Sequence, residues 1–426
     1  MRRPTRPAAA RGPRVLIALS MLAVLLSSCG SERAGGPPTL NWYNFPDDSG
    51  ALAGAARTCT RASGGRYRIV YNKLPRTADG QRQQLVRRLA AEDDAIDIMG
   101  LDVTWAAEFA EAGWILPWTG ALRDRAVEGT LKVPLQTATW KGRLYAVPYN
   151  TNTQLLWYRS DLVPEPPRTW SEMLDMARGL AAEGKPHYIE IQGAPYEGLT
   201  VWFNTLVASA GGSILTEDAT EPALGRPAER AAAVMRELAR SPAADPSLPN
   251  QMEDQNRLAM EAGRAAFELN YPFVYPSMQA NNPRLFRHFR WAPYPRMDAD
   301  RPARPTIGGI DLAIGAYSRH PGLAFEAALC LRNRENQITA AVQGGLPPTL
   351  RDLYSDQEFT ARYPFADAIF QALENASVRP RTPAYQNVSI VISHTLSPPS
   401  AIDPRRSVRT IERQITDALE SRGLIP

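Results

Sequence analysis

Aromatic rings beside amides and carboxylates recur where strand-like segments end. Asn41-Trp42-Tyr43-Asn44 runs into Pro46-Asp47-Asp48, and Asp102 and Trp105 follow a strand-like stretch ending at Leu101. Tyr149-Asn150-Thr151-Asn152 precedes Gln154–Tyr158, and Tyr196-Glu197 precedes a helical pattern containing Trp202. Asn270-Tyr271-Pro272-Phe273-Val274-Tyr275 follows Ala265–Leu269. In open α/β sheets ligands collect outside the carboxyl ends of strands. A sugar ring suits such a set, because its C–H faces lie flat on aromatic rings. Its hydroxyls take hydrogen bonds from Asp, Asn, Glu or Arg, and the charge-assisted ones are stronger. A buried partner left unpaired costs about 1–3 kcal/mol, which lets such a site reject the wrong epimer. Taken alone, Trp42, Phe273 or Tyr275 reads as core; the clustering at strand ends points to a ligand.

Catalytic signatures are missing. There is no G-x-S-x-G elbow, P-loop, HExxH or CxxC pair. His187, His288, His320 and His394 are far apart and lack metal-ligand spacing. Carboxylates are common, so a glycosidase pair stays open, but nothing singles one out. This counts modestly against an enzyme, and no cofactor or metal is expected.

The elements that must position these residues alternate between two periods. Thr39–Tyr43, Tyr67–Leu74 and Ala95–Leu101 read as strands, with helical spacing over 50–62, 81–91 and 104–112. A second set follows: strands at Gln154–Tyr158, Tyr188–Gln192 and Arg264–Asn270, and helices at Thr169–Leu180 and Thr200–Ala210. Thr169 and Glu172 have the spacing of a capping box, and Gly211-Gly212 closes the later helix. From Pro364 the pattern is mostly helical, ending with Val408–Ser421. The alternation predicts an α/β fold with mainly parallel sheets covered by helices.

At 426 residues the chain suits two or three lobes. Its net charge of +4 includes Arg2, Arg3, Arg6, Arg11 and Arg14; taking those five positive charges away leaves −1. A nearly neutral body argues against nucleic acid as a partner. Val15–Leu26 is a 12-residue apolar run, too short to span a bilayer comfortably and right for a signal-peptide core. Leu26-Ser27-Ser28-Cys29 resembles the bacterial lipobox, so residues 1–28 read as a lipoprotein signal, Cys29 as the lipidated residue and 29–38 as a tether. Cys59 and Cys330 then lie in an oxidising compartment, as a bridge closing a very long loop or as two unrelated buried thiols.

Several segments resemble a known family. PYNTNTQLLWYRSDLVPEPPRTWSEMLDMARGL (148–180), YEGLTVWFNTLVASAGG (196–212), NYPFVY (270–275), GGIDLAIG (308–315) and GGLPP (344–348), after Cys29, are similar to the extracellular solute-binding proteins of carbohydrate ABC importers, of the maltose-binding-protein type. Pro167-Arg168-Thr169-Trp170 and Gly211-Gly212 are its strongest landmarks, and the order matches over almost all of 39–421. The stretches 64–114 and RPRTPAYQNVS (379–389) resemble the actinobacterial trehalose-binding lipoproteins most closely.

The resemblance implies a two-lobed periplasmic-binding-protein-like fold, type II-like, with hinge strands near 150–153, 304–308 and 345–358. Lobe one would be 39–151 plus 307–350, and lobe two 152–306 plus 351–426. Cys59 and Cys330 then share a lobe, which favours the disulfide. The implied sugar contacts are Asp47 and Asp48 in the first loop, Asp102 after the third strand, Asn150 and Asn152, and Tyr196 and Glu197. An aromatic platform of Tyr271, Phe273 and Tyr275 adds to them, with Gly345 and Leu346 at a crossover and Arg379 and Arg381 before a late helix. Asn387-Val388-Ser389-Ile390 brings no tryptophan there, which suits a compact disaccharide held by polar clamps. The implied partners are that sugar, the permease subunits of the importer and, through the lipid, the outer face of the cell membrane, with the protein acting as a monomer. The competing readings are a maltose-type binder, a lipid-anchored glycoside hydrolase, and an envelope scaffold that kept the fold and lost the ligand.

Overall fold

Strict alternation along Thr39–Asn44 buries Leu40, Trp42 and Asn44, so this strand needs a hydrophobic layer on one face. The computed structural model, which describes residues 36–422, supplies that layer. The signal peptide, Cys29 and nearly all of the tether lie outside the described residues. From Thr39 onward the chain forms one compact unit.

The strands among the described residues are β1 (Thr39–Asn44), β2 (Arg68–Lys73), β3 (Ile98–Asp102), β4 (Thr139–Trp140), β5 (Arg143–Leu144), β6 (Ala146–Asn152), β7 (Leu155–Arg159), β8 (Tyr188–Glu190), β9 (Ala265–Asn270), β10 (Phe289–Ala292) and β11 (Gly308–Ile314). They build a five-stranded sheet ordered β2-β1-β3-β11-β6, a four-stranded sheet ordered β10-β7-β9-β8, and the small β4-β5 hairpin. The expected mainly parallel sheets are corrected to mixed ones. β1 is parallel to β2 and β3, but β11 runs antiparallel to both β3 and β6, and β7 runs antiparallel to β9 and β10. The reason is chain path: β11 enters the first sheet from the second, so it runs away from the edge towards which β1 and β3 run.

Helix ends follow local chemistry. Thr169 accepts from the Glu172 backbone N–H at 3.2 Å, while the Glu172 carboxylate reaches back to the Arg168 N–H at 2.7 Å, one residue outside the expected capping box. The helix expected from Thr200 starts at Glu197 and ends at Ser209, with Gly211 at φ 86°.

The halves have separate cores. One packs Leu40, Trp42, Leu85, Ile98, Phe109 and Trp118 around the first sheet. The other packs Leu156, Trp170, Trp202, Phe203 and Phe267 around the second, with Trp170 stacked on Trp202 at 6.0 Å. A third cluster joins Leu131, Ile307 and Ala341 to Leu155, Trp157, Phe359 and Phe365, where the chain passes between sheets. Three segments make that passage: Thr153-Gln154 between β6 and β7, the Pro305–Ile307 stretch hydrogen-bonded to Ser377, and the Pro348–Leu350 stretch bridged to Asn150 and Thr130.

Cys59, in helix Ala51–Ala62, is disulfide-bonded to Cys330, in helix Pro321–Leu331. No helix among the described residues is long and apolar enough to cross a membrane. The Cys59→Ser, Cys330→Ser double substitution is expected to lower unfolding free energy by about 2–4 kcal/mol, because the bridge closes a long loop in the unfolded chain. Denaturant titration of both proteins under oxidising conditions checks this, and equal stabilities would contradict it.

Candidate functional site

β3 ends at Asp102, whose Oδ1 accepts from the Thr104 N–H at 3.0 Å and the Thr104 hydroxyl at 2.8 Å. This local turn holds the carboxylate at the strand's carboxyl end. Glu197 opens helix Glu197–Ser209, where the positive end of the helix dipole favours an acid. Between these two, from opposite halves, lies Arg379. Its side chain is 3% exposed. Nη1 donates to Glu197 Oε1 at 2.5 Å, and Nη2 donates to Asp102 Oδ1 and to the Ile307 carbonyl, both at 3.3 Å. One guanidinium therefore ties the first sheet, a second-half helix and a crossing segment together.

A second layer holds Glu197. Helix Tyr385–Thr395 presents Tyr385 and Ser389 four residues apart, on one face. The Tyr385 hydroxyl donates to Glu197 Oε1 at 2.5 Å, and the Ser389 hydroxyl bonds Glu197 Oε2. Burial opposes the Arg379 charge, but Asp102, Tyr385 and Glu197 outweigh it and hold the guanidinium ionised. Burial pushes the Glu197 carboxyl up, and Arg379 opposes that rise.

Among the expected contact residues, three buried polar atoms have no hydrogen-bond partner within the protein: Asn150 Oδ1, Asn152 Oδ1 and Arg379 Nε. Asn152 and Tyr271 meet at Gly308, where an added Cβ would lie 3.4 Å from Asn152 Cβ and 3.9 Å from Tyr271 Cε1. Tyr271 also feels the charges of Arg379, Asp102 and Glu197, although burial is what chiefly raises its pKa. Buried polar groups are normally satisfied. A group of orphaned acceptors and donors drawn from both halves is what a polyhydroxylated ligand would pair. Beside Arg379 a cavity of about 560 Å³ opens between Thr139–Gly142 of the β4-β5 hairpin and Gly212–Ala219, with Arg381 on its wall.

Other expected contacts are placed differently. The Asp47 carboxylate is spent on its own loop: Oδ1 accepts from the Ser49 N–H at 2.9 Å and the Ser49 hydroxyl at 2.5 Å, and Oδ2 accepts from Leu52 N–H at 2.9 Å. It holds the start of helix Ala51–Ala62. Asp48 is exposed and pairs with Arg76 at 3.0 Å. Tyr275 turns into a cluster with Trp157, Phe286, Trp291 and Phe365, because its face of the short helix Val274–Asn281 packs on the core. Leu346 packs against the first core. Gly345 meets the backbone of Phe273: an added Cβ would lie 2.5 Å from Phe273 Cα, and its φ is 66°. Arg381 reaches across to the Gln136 carbonyl at 3.2 Å. Tyr385 and Ser389 were missed as members of the site. Their i, i+4 spacing just after two arginines was the only signal available.

Arg379→Met is expected to destabilise the fold by about 3–5 kcal/mol, because it strands two partly buried carboxylates. Urea unfolding at neutral pH measures this, and a loss within experimental error would show that the guanidinium does not hold the halves.

Residues 69–338 match the family model of the bacterial extracellular solute-binding proteins. A probable ABC transporter-binding protein of Deinococcus radiodurans is 27% identical over 82% of this chain and 86% of its own. The maltose-bound T. maritima MalE3 superposes with a TM-score of 0.82 at 25% identity, covering 88% of this chain and 98% of that one. A solute-binding protein of Thermotoga lettingae bound to α-D-tagatose, at 22% identity and a TM-score of 0.78, shares the fold over 90% of this chain and all of its own. These are binding proteins, so the glycoside hydrolase reading falls, in keeping with two site carboxylates already committed to one arginine. The chain belongs to the bacterial extracellular solute-binding proteins, with the two-lobed α/β fold of the maltose-binding-protein type, an extracytoplasmic place of action and no enzymatic role.

Proposed function

We propose that the protein is the lipid-anchored substrate-binding subunit of a sugar ABC importer, which takes trehalose or a related disaccharide between its halves and delivers it to the permease. The observation that carries this reading is Arg379, buried between Asp102 and Glu197 from opposite halves, with its own Nε unpartnered and with Tyr271, which meets the unpartnered Asn152 at Gly308, within reach of its charge. One cation against two carboxylates leaves the cluster without surplus positive charge, which suits a neutral polyol and disfavours an anionic solute. Tyr385, at the start of the late helix, is buried and its hydroxyl is committed to Glu197, so it offers a ligand no stacking face. Polar clamps then bear the specificity, which favours a compact disaccharide. The maltose in MalE3 supports a saccharide as the class of ligand.

The halves are 39–151 plus 307–350 and 152–306 plus 351–426. Across them Gln386 donates to Asp79 at 2.9 Å, Arg76 faces Asp254 at 3.5 Å, and Gly345 abuts Phe273. These contacts are polar or small. They suit a closed form that ligand stabilises by touching both faces, shifting the population from open to closed. The protein works as a monomer. Acylated Cys29 would hold it at the outer membrane face and raise its effective concentration near the permease; several acyl chains anchor firmly where one does not.

A second reading, a maltose-type oligosaccharide, is favoured by the cavity of about 560 Å³ beside Arg379, which has room for further rings. A thermal-shift panel of trehalose, maltose and sucrose separates the two. Trehalose is expected to raise the melting temperature most; a larger shift with maltose selects the second reading, and no shift with any sugar removes both. Asp102→Ala and Asn152→Ala are each expected to lower affinity about tenfold or more while the protein stays folded, since each deletes a hydrogen-bonding group at a buried site. Calorimetry with wild-type affinity for both variants would remove these residues from the site.

A further inference from the structure

A buried acid pair lies behind the two second-half loops, and sugar contact does not use it. β8 and β9 run parallel, with Glu190 in register with Glu268. Both residues are 0% exposed. Neighbouring strands stand about 4.8 Å apart, and residues in register share a face, so the two carboxyls are close neighbours. Among the described residues neither makes an ion pair. Arg257, the cation whose field reaches Glu268, is held by Glu261 at 2.9 Å and Asp254 at 3.4 Å. Each carboxyl has one bonded oxygen and one orphan. Glu190 Oε2 accepts from Gln251 Nε2 at 2.5 Å and from Asn256 Nδ2 at 3.5 Å, and Oε1 has no partner. Glu268 Oε1 accepts from Asn270 Nδ2 at 2.7 Å, and Oε2 has none.

Two desolvated carboxylates on neighbouring strands without a cation of their own are costly, and protonation is the neutralisation within reach. Burial is the first cause that pushes both groups up to about 8. The charged neighbours are mixed: Asp245 raises Glu190 and Arg264 lowers it, while Glu190 and Glu261 raise Glu268 and Arg257 lowers it.

The pair is wired to both loops. Gln251, bonded to Glu190 through its side chain, offers its carbonyl to the Gly193 and Ala194 N–H groups at 3.1 Å each, just ahead of Tyr196 and Glu197. Gly193 sits so close that an added Cβ would lie 2.3 Å from the Leu248 carbonyl oxygen. Asn270, bonded to Glu268, accepts from the Tyr271 N–H at 2.9 Å and donates to the Glu253 carbonyl at 3.0 Å.

We propose that Glu190 and Glu268 are a proton-holding pair that positions both second-half ligand loops, 193–197 and 270–273, and that the loops slacken when both carboxyls lose their protons to solvent. This rests on the sugar reading of the cleft. The sign follows from linkage. Folded-state pKa values raised above the ordinary carboxyl value give stability that is fully present below about pH 4.5, falls as pH rises, and is gone above about pH 8. A purely structural pair would show that slope in stability alone; a positioning pair shows it in affinity too.

The test uses the wild type, Glu190→Gln, Glu268→Gln and the double variant, at about pH 6.5 and about pH 9.5. Amide exchange over 193–197 and 270–275, corrected for base catalysis, reads loop order without ligand. Calorimetry with trehalose and with maltose reads grip. Wild-type affinity is expected to fall about tenfold at the higher pH, with loss of protection in both loops, since both pKa values are then exceeded. The double variant, or either single variant should the double not fold, is expected to keep its affinity and protection at both pH values. Unchanged wild-type exchange in these loops overturns the proposal, as does the same alkaline loss in the Gln variants. If neither sugar binds but the loops lose protection only in the wild type, the positioning pair stands and the sugar reading falls.

Discussion

A single buried guanidinium organises this molecule. Arg379 can stay charged out of water only if carboxylates and a carbonyl surround it, and no one half of the chain supplies them all. Asp102 comes from the end of a first-sheet strand, Glu197 from the first turn of a second-half helix, and the carbonyl from Ile307 in a crossing segment. The arginine thereby couples how the halves meet to where the candidate ligand-binding groups stand. Tyr385 and Ser389 then complete the coordination of Glu197, so the late helix is part of the same arrangement.

Around that cluster the division of labour is physical. Each half closes its own apolar core around its own sheet, which makes it stiff. Contacts between the halves away from the crossings are mainly charged, amide or glycine-to-backbone contacts, which are cheap to exchange for water. The third apolar cluster is the exception. It sits where the chain passes between sheets, and Trp157 stacks within it on Phe289 at 5.4 Å. Apolar packing at the crossings with polar contacts elsewhere is the arrangement expected of a hinge beside a wettable cleft. Below the second-half loops, the acid pair adds a buried polar network to that half. Such networks are rigid when satisfied and costly when a buried group is left unpaired.

Much of the fold was legible in residue order. Alternation located β2, short apolar runs located β1 and, with its start three residues early, β3; period 3.6 located the helices between them, and Thr169 marked its helix start. The direction of β11 was not legible, because direction depends on which sheet the chain has just left. In the site, Asp102, Asn150, Asn152, Tyr196, Glu197 and Arg379 were named from strand ends and family likeness; of these, Asp102, Glu197 and Arg379 are in direct contact. Asp47 was named for the same reason, yet its carboxylate caps the adjacent helix, a local use that an Asp before a helix always offers. Tyr275 followed a strand end as Tyr271 did, but it lies in the first turn of the helix Val274–Asn281, whose packing turns it into the core.

Residue order by itself determined the elements, their caps, the lack of catalytic motifs and the family landmarks, all of which rest on neighbours within a few positions. Tertiary structure decided which polar groups meet. Arg379 finds Glu197 across 182 residues and Asp102 across 277, and Glu190 finds its acidic neighbour only through strand register. Local periodicity carries no information about such pairings, because a buried charge selects its partners by the geometry of the packed sheets and by the cost of leaving it alone.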